Sequence, residues 1–217
     1  MSRALVLVGL SGSGKSTVGR LLASRLSLPF IDTDRQVELR AGMSIAEMFA
    51  RMGEEEFRRQ ESAMLVESCA GQAVVATGGG AVLRAENRDV LRADNLVVWI
   101  DVPVPLLVKR LNGHTQGEER PLRRADNLYT RLERLSLERH ALYRASSHVR
   151  CEVPEDAHLG SRRIAADLAG IYKAWIASER TLDDSRSGPG RRRQRPAKRA
   201  WWAPLRGRKP CPSGSSP

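Results

Sequence analysis

The sequence predicts an α/β protein built on a parallel sheet with helices on both faces, and three observations predict it. Short apolar runs of strand length alternate with stretches of helical periodicity along most of the chain. The first run, Ala4 to Val8, is apolar at every position, as in a strand buried on both faces. It closes on a glycine-rich turn leading straight into a helical pattern, and in such sheets ligands bind at the carboxyl ends of the strands.

The elements follow in order. After the first strand and its turn, Val18, Leu21, Leu22 and Leu26 recur at helical spacing, and a second short strand starts at Phe30 and ends at Asp32. Ser44-Ile-Ala-Glu47 has the form of a capping box and opens a helical region that breaks at Gly53 and resumes from Glu54 to Ala70. Two helices are therefore expected between strands two and three. The third strand, Ala73 to Thr77, stops at Gly78-Gly79-Gly80, and a polar helix near Asn87 to Ala93 leads to the fourth, Leu96 to Ile100. A helix carrying Leu106, Leu107 and Leu111 follows Pro103. Then come a polar stretch from Asn112 to Asn127, a long helix to about Ala145, a weaker fifth strand from His148 to Val153, and a final amphipathic helix from Ser161 to Ser178.

Composition bounds the rest. With 217 residues, 41% hydrophobic, 28% charged and 5% aromatic, the chain is neither collagen-like nor a coiled coil nor wholly disordered. Three scattered cysteines give no disulfide framework, His114, His140, His148 and His158 share no ligand spacing, and no run approaches the ~20 apolar residues of a membrane span. A soluble cytoplasmic protein, monomeric and without a membrane partner, is expected. The net charge of +11 would suggest nucleic acid, but it is unevenly placed. Residues 181–217 hold ten Lys and Arg against two Asp, a net +8, and leave only +3 for residues 1–180. That segment also holds six of the eleven prolines and no periodic apolar face, so we expect a domain over 1–180 and a disordered basic tail over 181–217. Nucleic-acid binding through the tail, with Trp201-Trp202 available for stacking, is the non-enzymatic alternative; a solvated extension is the favoured reading.

Gly9-Leu-Ser-Gly12-Ser13-Gly14-Lys15-Ser16-Thr17 fits the phosphate-binding pattern G-x-x-x-x-G-K-[ST], in the strand-to-helix context the pattern requires. Such a loop curls its backbone N–H groups around a polyphosphate at a helix N-terminus, its lysine reaches the β/γ-phosphates, and its first hydroxyl ligates Mg²⁺. ATP or GTP is the expected ligand. Asp32 and Asp34 close strand two, where a turning chain lets one face a metal and the other a substrate hydroxyl; the bland reading is a helix cap.

Six segments together resemble the shikimate kinases: the phosphate loop, Phe30-Ile-Asp32-Thr-Asp34, Gly53-Glu-Glu-Glu-Phe57-Arg58-Arg-Gln-Glu61, Gly78-Gly-Gly80, Arg120-Pro-Leu122 and Arg139-His-Ala-Leu-Tyr143. The likeness covers about residues 3–175. It implies a three-layer α/β/α P-loop kinase fold with a five-stranded parallel sheet and a lid over about 112–125, and transfer of the ATP γ-phosphoryl to the 3-hydroxyl of shikimate. Shikimate is a small carboxylate with three hydroxyls, which calls for a cationic clamp, hydroxyl acceptors and close-approach backbone. Arg58 and Arg139 are the candidate clamp, with Glu61 holding Arg58 in position, and Gly79 and Gly80 let the backbone meet the substrate; the bland readings are an ordinary surface Arg–Glu pair and an ordinary glycine turn. Asp34 is expected to orient the attacking hydroxyl, Asp32 and Ser16 to hold Mg²⁺, and Lys15 and Arg120 to stabilise charge on the transferred group. Arg110 resembles a position that packs on adenine; the bland reading is an exposed helix arginine. Two departures stand out: the segment between Arg110 and Arg120 is longer than expected for the lid, and Arg123-Arg124 stands where smaller or apolar residues are usual. The phosphate loop is also close to that of gluconate kinases, the main alternative, against which Phe57-Arg58, the triple glycine and Arg139 stand.

Overall fold

A computed structural model describes residues 3–113, 122–154 and 160–186, with side chains over 3–112, 128–154 and 160–179. In chain order the elements are β1 (Leu5–Val8), α1 (Lys15–Leu26), β2 (Phe30–Asp32), α2 (Thr33–Ala41), α3 (Ile45–Ser68), β3 (Val74–Ala76), α4 (Ala85–Arg92), β4 (Leu96–Asp101), α5 (Val104–Gly113), α6 (Leu122–Ser146), β5 (Val149–Glu152) and α7 (Ser161–Arg186). The five strands form one parallel sheet in the order β2-β3-β1-β4-β5. The apolar run of β1 is explained by its place: it pairs with β3 on one side and β4 on the other, and all four residues are fully buried. The chain leaves β1 toward β2 and later crosses back to β4, so the turn after β1 lies where the winding reverses and a crevice opens.

Between β2 and β3 the structure departs from the expectation. A helix not foreseen, α2, starts directly at the end of β2, with the Asp32 side chain as its N-cap. Three residues after α2 ends at Ala41, Ser44 and Glu47 form the expected capping box of α3. α3 breaks at Gly53 as expected: at φ 83° and ψ 169° that residue leaves the helical range, and the helix resumes at Glu54. α2 and α3 enclose a small second core of Val37, Met48, Phe57 and Met64, with the Phe49 and Phe57 rings 4.8 Å apart. This satellite core carries the acidic end of β2 and the arginine-bearing half of α3 as one unit.

Three boundaries need correction. α6 begins at Leu122, inside the stretch read as polar linker. Of the lid expected over about 112–125, residues 112–113 end α5 and 122–125 open α6; residues 114–121 lie outside the described residues. α7 continues to Arg186, eight residues past its expected end, so the chain is still helical at residue 181, where the tail was to begin; residues 187–217 lie outside the described residues. Its buried residues Ile164, Ala165, Leu168, Ala169 and Tyr172 dock it on the main core, and Tyr172 Oη donates to the Arg3 carbonyl at 2.6 Å. Among the described residues no helix is long and apolar enough to cross a membrane.

Candidate active site

The phosphate loop forms where the pattern places it. Gly9 ends β1 at φ 146°, and a Cβ there would lie 2.6 Å from the Ile100 carbonyl oxygen of β4, so only glycine lets the chain turn that close to the neighbouring strand. Gly14, in the left-handed conformation, is the N-cap of α1, which leaves the first N–H groups of that helix pointing into the loop. Lys15 is buried, and its ammonium donates to the carbonyl oxygens of Gly9 at 2.9 Å and Leu10 at 2.8 Å and to Ser13 Oγ at 3.4 Å. Burial lowers its pKa from 10.5 to about 8, against the pull of Asp34 and Asp32, so the charge persists at neutral pH. Arg110 reaches the same loop from α5, donating from Nη1 to the Ser13 carbonyl at 3.2 Å. That places it on the loop's rim, not out on an exposed helix face.

Asp32 and Asp34 have separate duties because α2 starts between them. Ser16 Oγ donates to Asp32 Oδ2 at 2.6 Å, while Asp32 Oδ1 accepts the Arg35 amide at 3.4 Å. The cap reading and the loop-partner reading are thus both true of Asp32. Asp34, in the first turn of the helix, turns toward Gly78. Its carboxyl is raised from 3.8 to about 6, first by burial and then by the charges of Glu61 and Asp32, with Lys15 opposing.

The triple glycine is where the acceptor side of the site converges. At Gly78 a Cβ would collide with Asp34 Oδ1 and Glu61 Oε1, and at Gly80 with the Arg58 guanidinium. The strip is therefore glycine because carboxylates and a guanidinium crowd against its backbone. Arg58 Nη1 donates to Glu61 Oε2 at 2.7 Å. Glu61 is 1% exposed, which removes the reading of this pair as ordinary surface charge. Burial raises the Glu61 carboxyl while Arg58 and Arg139 pull it down, and its second oxygen has no partner. From α6, Arg139 Nη1 donates to the Gly79 carbonyl at 2.9 Å, and its buried Nε has no partner.

The sequence alone assigns Tyr143 no role. Its hydroxyl donates to the same Gly79 carbonyl at 2.6 Å, and its ring stacks on Trp99 at 5.6 Å. Burial pushes that hydroxyl up to about 12, so it acts as a fixed donor. Thr33 Oγ1 likewise accepts the Gly78 amide at 3.2 Å. The spacing of Arg139 and Tyr143, four residues apart on one helix face, was the available signal for their shared target. Arg120 lies outside the described residues. Cys69 and Cys151 are buried free thiols pushed up to about 12 and about 11, and among the described residues no His, Cys, Asp and Glu cluster forms a metal site.

A phosphate loop with a buried lysine, facing a glycine strip ringed by two arginines and two carboxylates, makes this a P-loop phosphotransferase with a small polar acceptor. The Shikimate kinase family model matches residues 11–168. The shikimate kinase of Symbiobacterium thermophilum is 49% identical over 148 residues, 67% of this chain and 84% of that protein; that of Thioalkalivibrio sulfidiphilus is 39% identical over 186 residues, 85% and 95%. Among solved structures, shikimate kinase from Acinetobacter baumannii in complex with shikimate superposes with a TM-score of 0.65 at 36% identity, covering 81% of this chain and 93% of that one. The chain belongs to the shikimate kinase family, and is an ATP-dependent kinase.

Proposed function

We propose that this enzyme transfers the γ-phosphoryl of ATP to the 3-hydroxyl of shikimate, a step in aromatic amino-acid biosynthesis, at the site between the phosphate loop and Gly78–Gly80. The observation that carries the assignment of sides is the arrangement at the triple glycine: one carboxylate raised toward neutrality, Asp34, beside two guanidinium groups, Arg58 and Arg139, all against bare backbone. A hydroxylated carboxylate matches that pattern, with its carboxylate on the arginines and a hydroxyl at Asp34.

Phosphoryl transfer asks the protein mainly for alignment and charge stabilisation. Gly12 to Thr17 cradle the polyphosphate with backbone N–H groups and the α1 N-terminus, and Arg110 covers the loop toward the base. Lys15, on transfer of its hydrogen bonds from Gly9 and Leu10 to the γ-phosphoryl, neutralises the charge that develops there. Arg120 supplies the same service from the segment expected to close as a lid. Asp34 accepts a hydrogen bond from the attacking hydroxyl and takes its proton as the bond to phosphorus forms; a carboxyl near 6 is a stronger base than an ordinary one and still ionised at pH 7.5. Arg58 and Arg139 fix the carboxylate, the backbone of Gly79 and Gly80 lines the ring, and Tyr143 holds the Gly79 carbonyl.

Mg²⁺ fits the residues present. The Ser16 hydroxyl and an Asp32 carboxylate oxygen stand 2.6 Å apart as hard oxygen donors at the mouth of the loop, and would hold it with phosphate oxygens and water. When bound it would supply positive charge to neutralise the polyphosphate. Phosphorus and proton NMR of the product tests the proposal: phosphate coupled to the proton at carbon 3 is expected, and coupling at another hydroxyl overturns the placement of Asp34.

A further inference from the structure

Arg58 carries two carboxylates at once, and they differ in kind. Nη1 donates to Glu61 Oε2 at 2.7 Å, and that side chain is 2% exposed. Nε and Nη2 both donate to a single oxygen of Glu54, Oε1, at 3.2 and 3.0 Å, and that side chain is 62% exposed. The Nη1–Nη2 end of the guanidinium is turned onto Gly80, where a Cβ would lie 2.7 Å from both Cζ and Nη2. One edge is therefore committed to the buried glutamate and one end to the glycine strip. The edge left for an incoming group is Nε–Nη2, the pair of parallel N–H bonds that matches a carboxylate, and Glu54 occupies it.

The local chain explains why a glutamate sits there. Gly53 breaks the helix, and Glu54 is the first residue of the segment that carries Arg58 one turn later. An acid in that position is favoured by the helix N-terminus and reaches back to a cation at i+4. Leaving Glu54 in place while a substrate carboxylate joined Glu61 on the same guanidinium would gather three anions around one cation. With the Glu54 side of this i,i+4 pair in solvent the contact is weak, so exchange is cheap.

We infer that Glu54 is a built-in stand-in for the acceptor's carboxylate: it holds the outward edge of Arg58 in the geometry the substrate needs, and is displaced when the substrate binds. This rests on the proposed role of Arg58. Glu54 then sets the affinity for shikimate and takes no part in transfer. A carboxylate acceptor must compete with it, whereas a neutral analogue leaves the pair intact.

The test uses the full-length chain with Glu54→Gln, and Glu54→Ala as a second variant, measuring shikimate Kd by titration calorimetry together with KM and kcat. The methyl ester of shikimate serves as the neutral probe and Arg58→Ala as the control. Both Glu54 variants are expected to bind shikimate about twofold to fivefold more tightly, the size of one exposed pair, with kcat unchanged and ester binding unaffected. Arg58→Ala that binds weakly beside Glu54 variants that bind no tighter, or tighten on the ester equally, overturns the stand-in alone. Unchanged shikimate affinity in Arg58→Ala overturns the clamp and the stand-in with it.

Discussion

Replacing Asp34 by Asn should make the protein more stable while removing most of its turnover. In the fold the Asp34 carboxyl is held at about 6 against an ordinary 3.8, because it is buried beside Glu61 and Asp32. A raised carboxyl means the native state binds the proton more tightly than the unfolded chain, so this group costs nothing below about pH 3.8 and its full penalty above about pH 6. At 1.36 kcal/mol per pH unit the penalty at pH 7.5 is about 3 kcal/mol. Screening at the partly exposed edge, and loss of a favourable acid in the first turn of α2, reduce the gain on substitution to about 2 kcal/mol. Asn also offers an N–H toward Glu61 Oε1, which has no partner. For a domain of this size 2 kcal/mol is about 4–8 °C in Tm. Thermal unfolding of both proteins at pH 7.5 and pH 4 measures it: the difference should be largest at pH 7.5 and shrink toward zero at pH 4. An Asp34→Asn protein that is less stable at pH 7.5, or whose advantage does not change with pH, refutes the reasoning.

The same site gives four further expectations. Lys15→Ala should lower kcat by about 10²–10³-fold with shikimate KM little changed, as single-turnover kinetics would show, because its charge serves the developing negative charge. Arg58→Ala and Arg139→Ala should each raise shikimate KM by about 10- to 100-fold, the loss of one charge-assisted contact, in steady-state assays; Arg58→Ala should also lower Tm, since it strands the buried Glu61. The pH profile of kcat/KM for the unmodified enzyme should fall as pH drops through about 6, where Asp34 takes up its proton. A fragment ending at Arg186, the end of α7, should fold and keep kcat/KM within about threefold at ~0.15 M salt, since steering by a distant basic segment is screened over about 8 Å.

What the sequence made legible is the part governed by local pattern. The apolar runs gave all five strands, and the phosphate loop declared itself because its glycines, lysine and hydroxyl must be contiguous. The hidden part depends on contacts between distant segments. α2 carries little helical signal because only Thr33 and Val37 of Thr33–Ala41 are buried, and its cap, Asp32, is equally readable as a metal-facing carboxylate. Without α2, the satellite core that carries Arg58 had no visible purpose. The burial of Glu61 could not be told from a surface Glu–Arg pair by its spacing, and Tyr143 acts on a carbonyl 64 residues away. α6 starts earlier and α7 ends later than the pattern predicts because polar, arginine-rich sequence is compatible with both helix and linker.

The central claim is that the arginine-flanked glycine strip selects shikimate as the acceptor. ADP release from ATP and Mg²⁺, measured side by side with shikimate and gluconate at equal concentration, tests it most directly. Turnover with shikimate and little or none with gluconate is predicted; gluconate turning over at least as well as shikimate would contradict it.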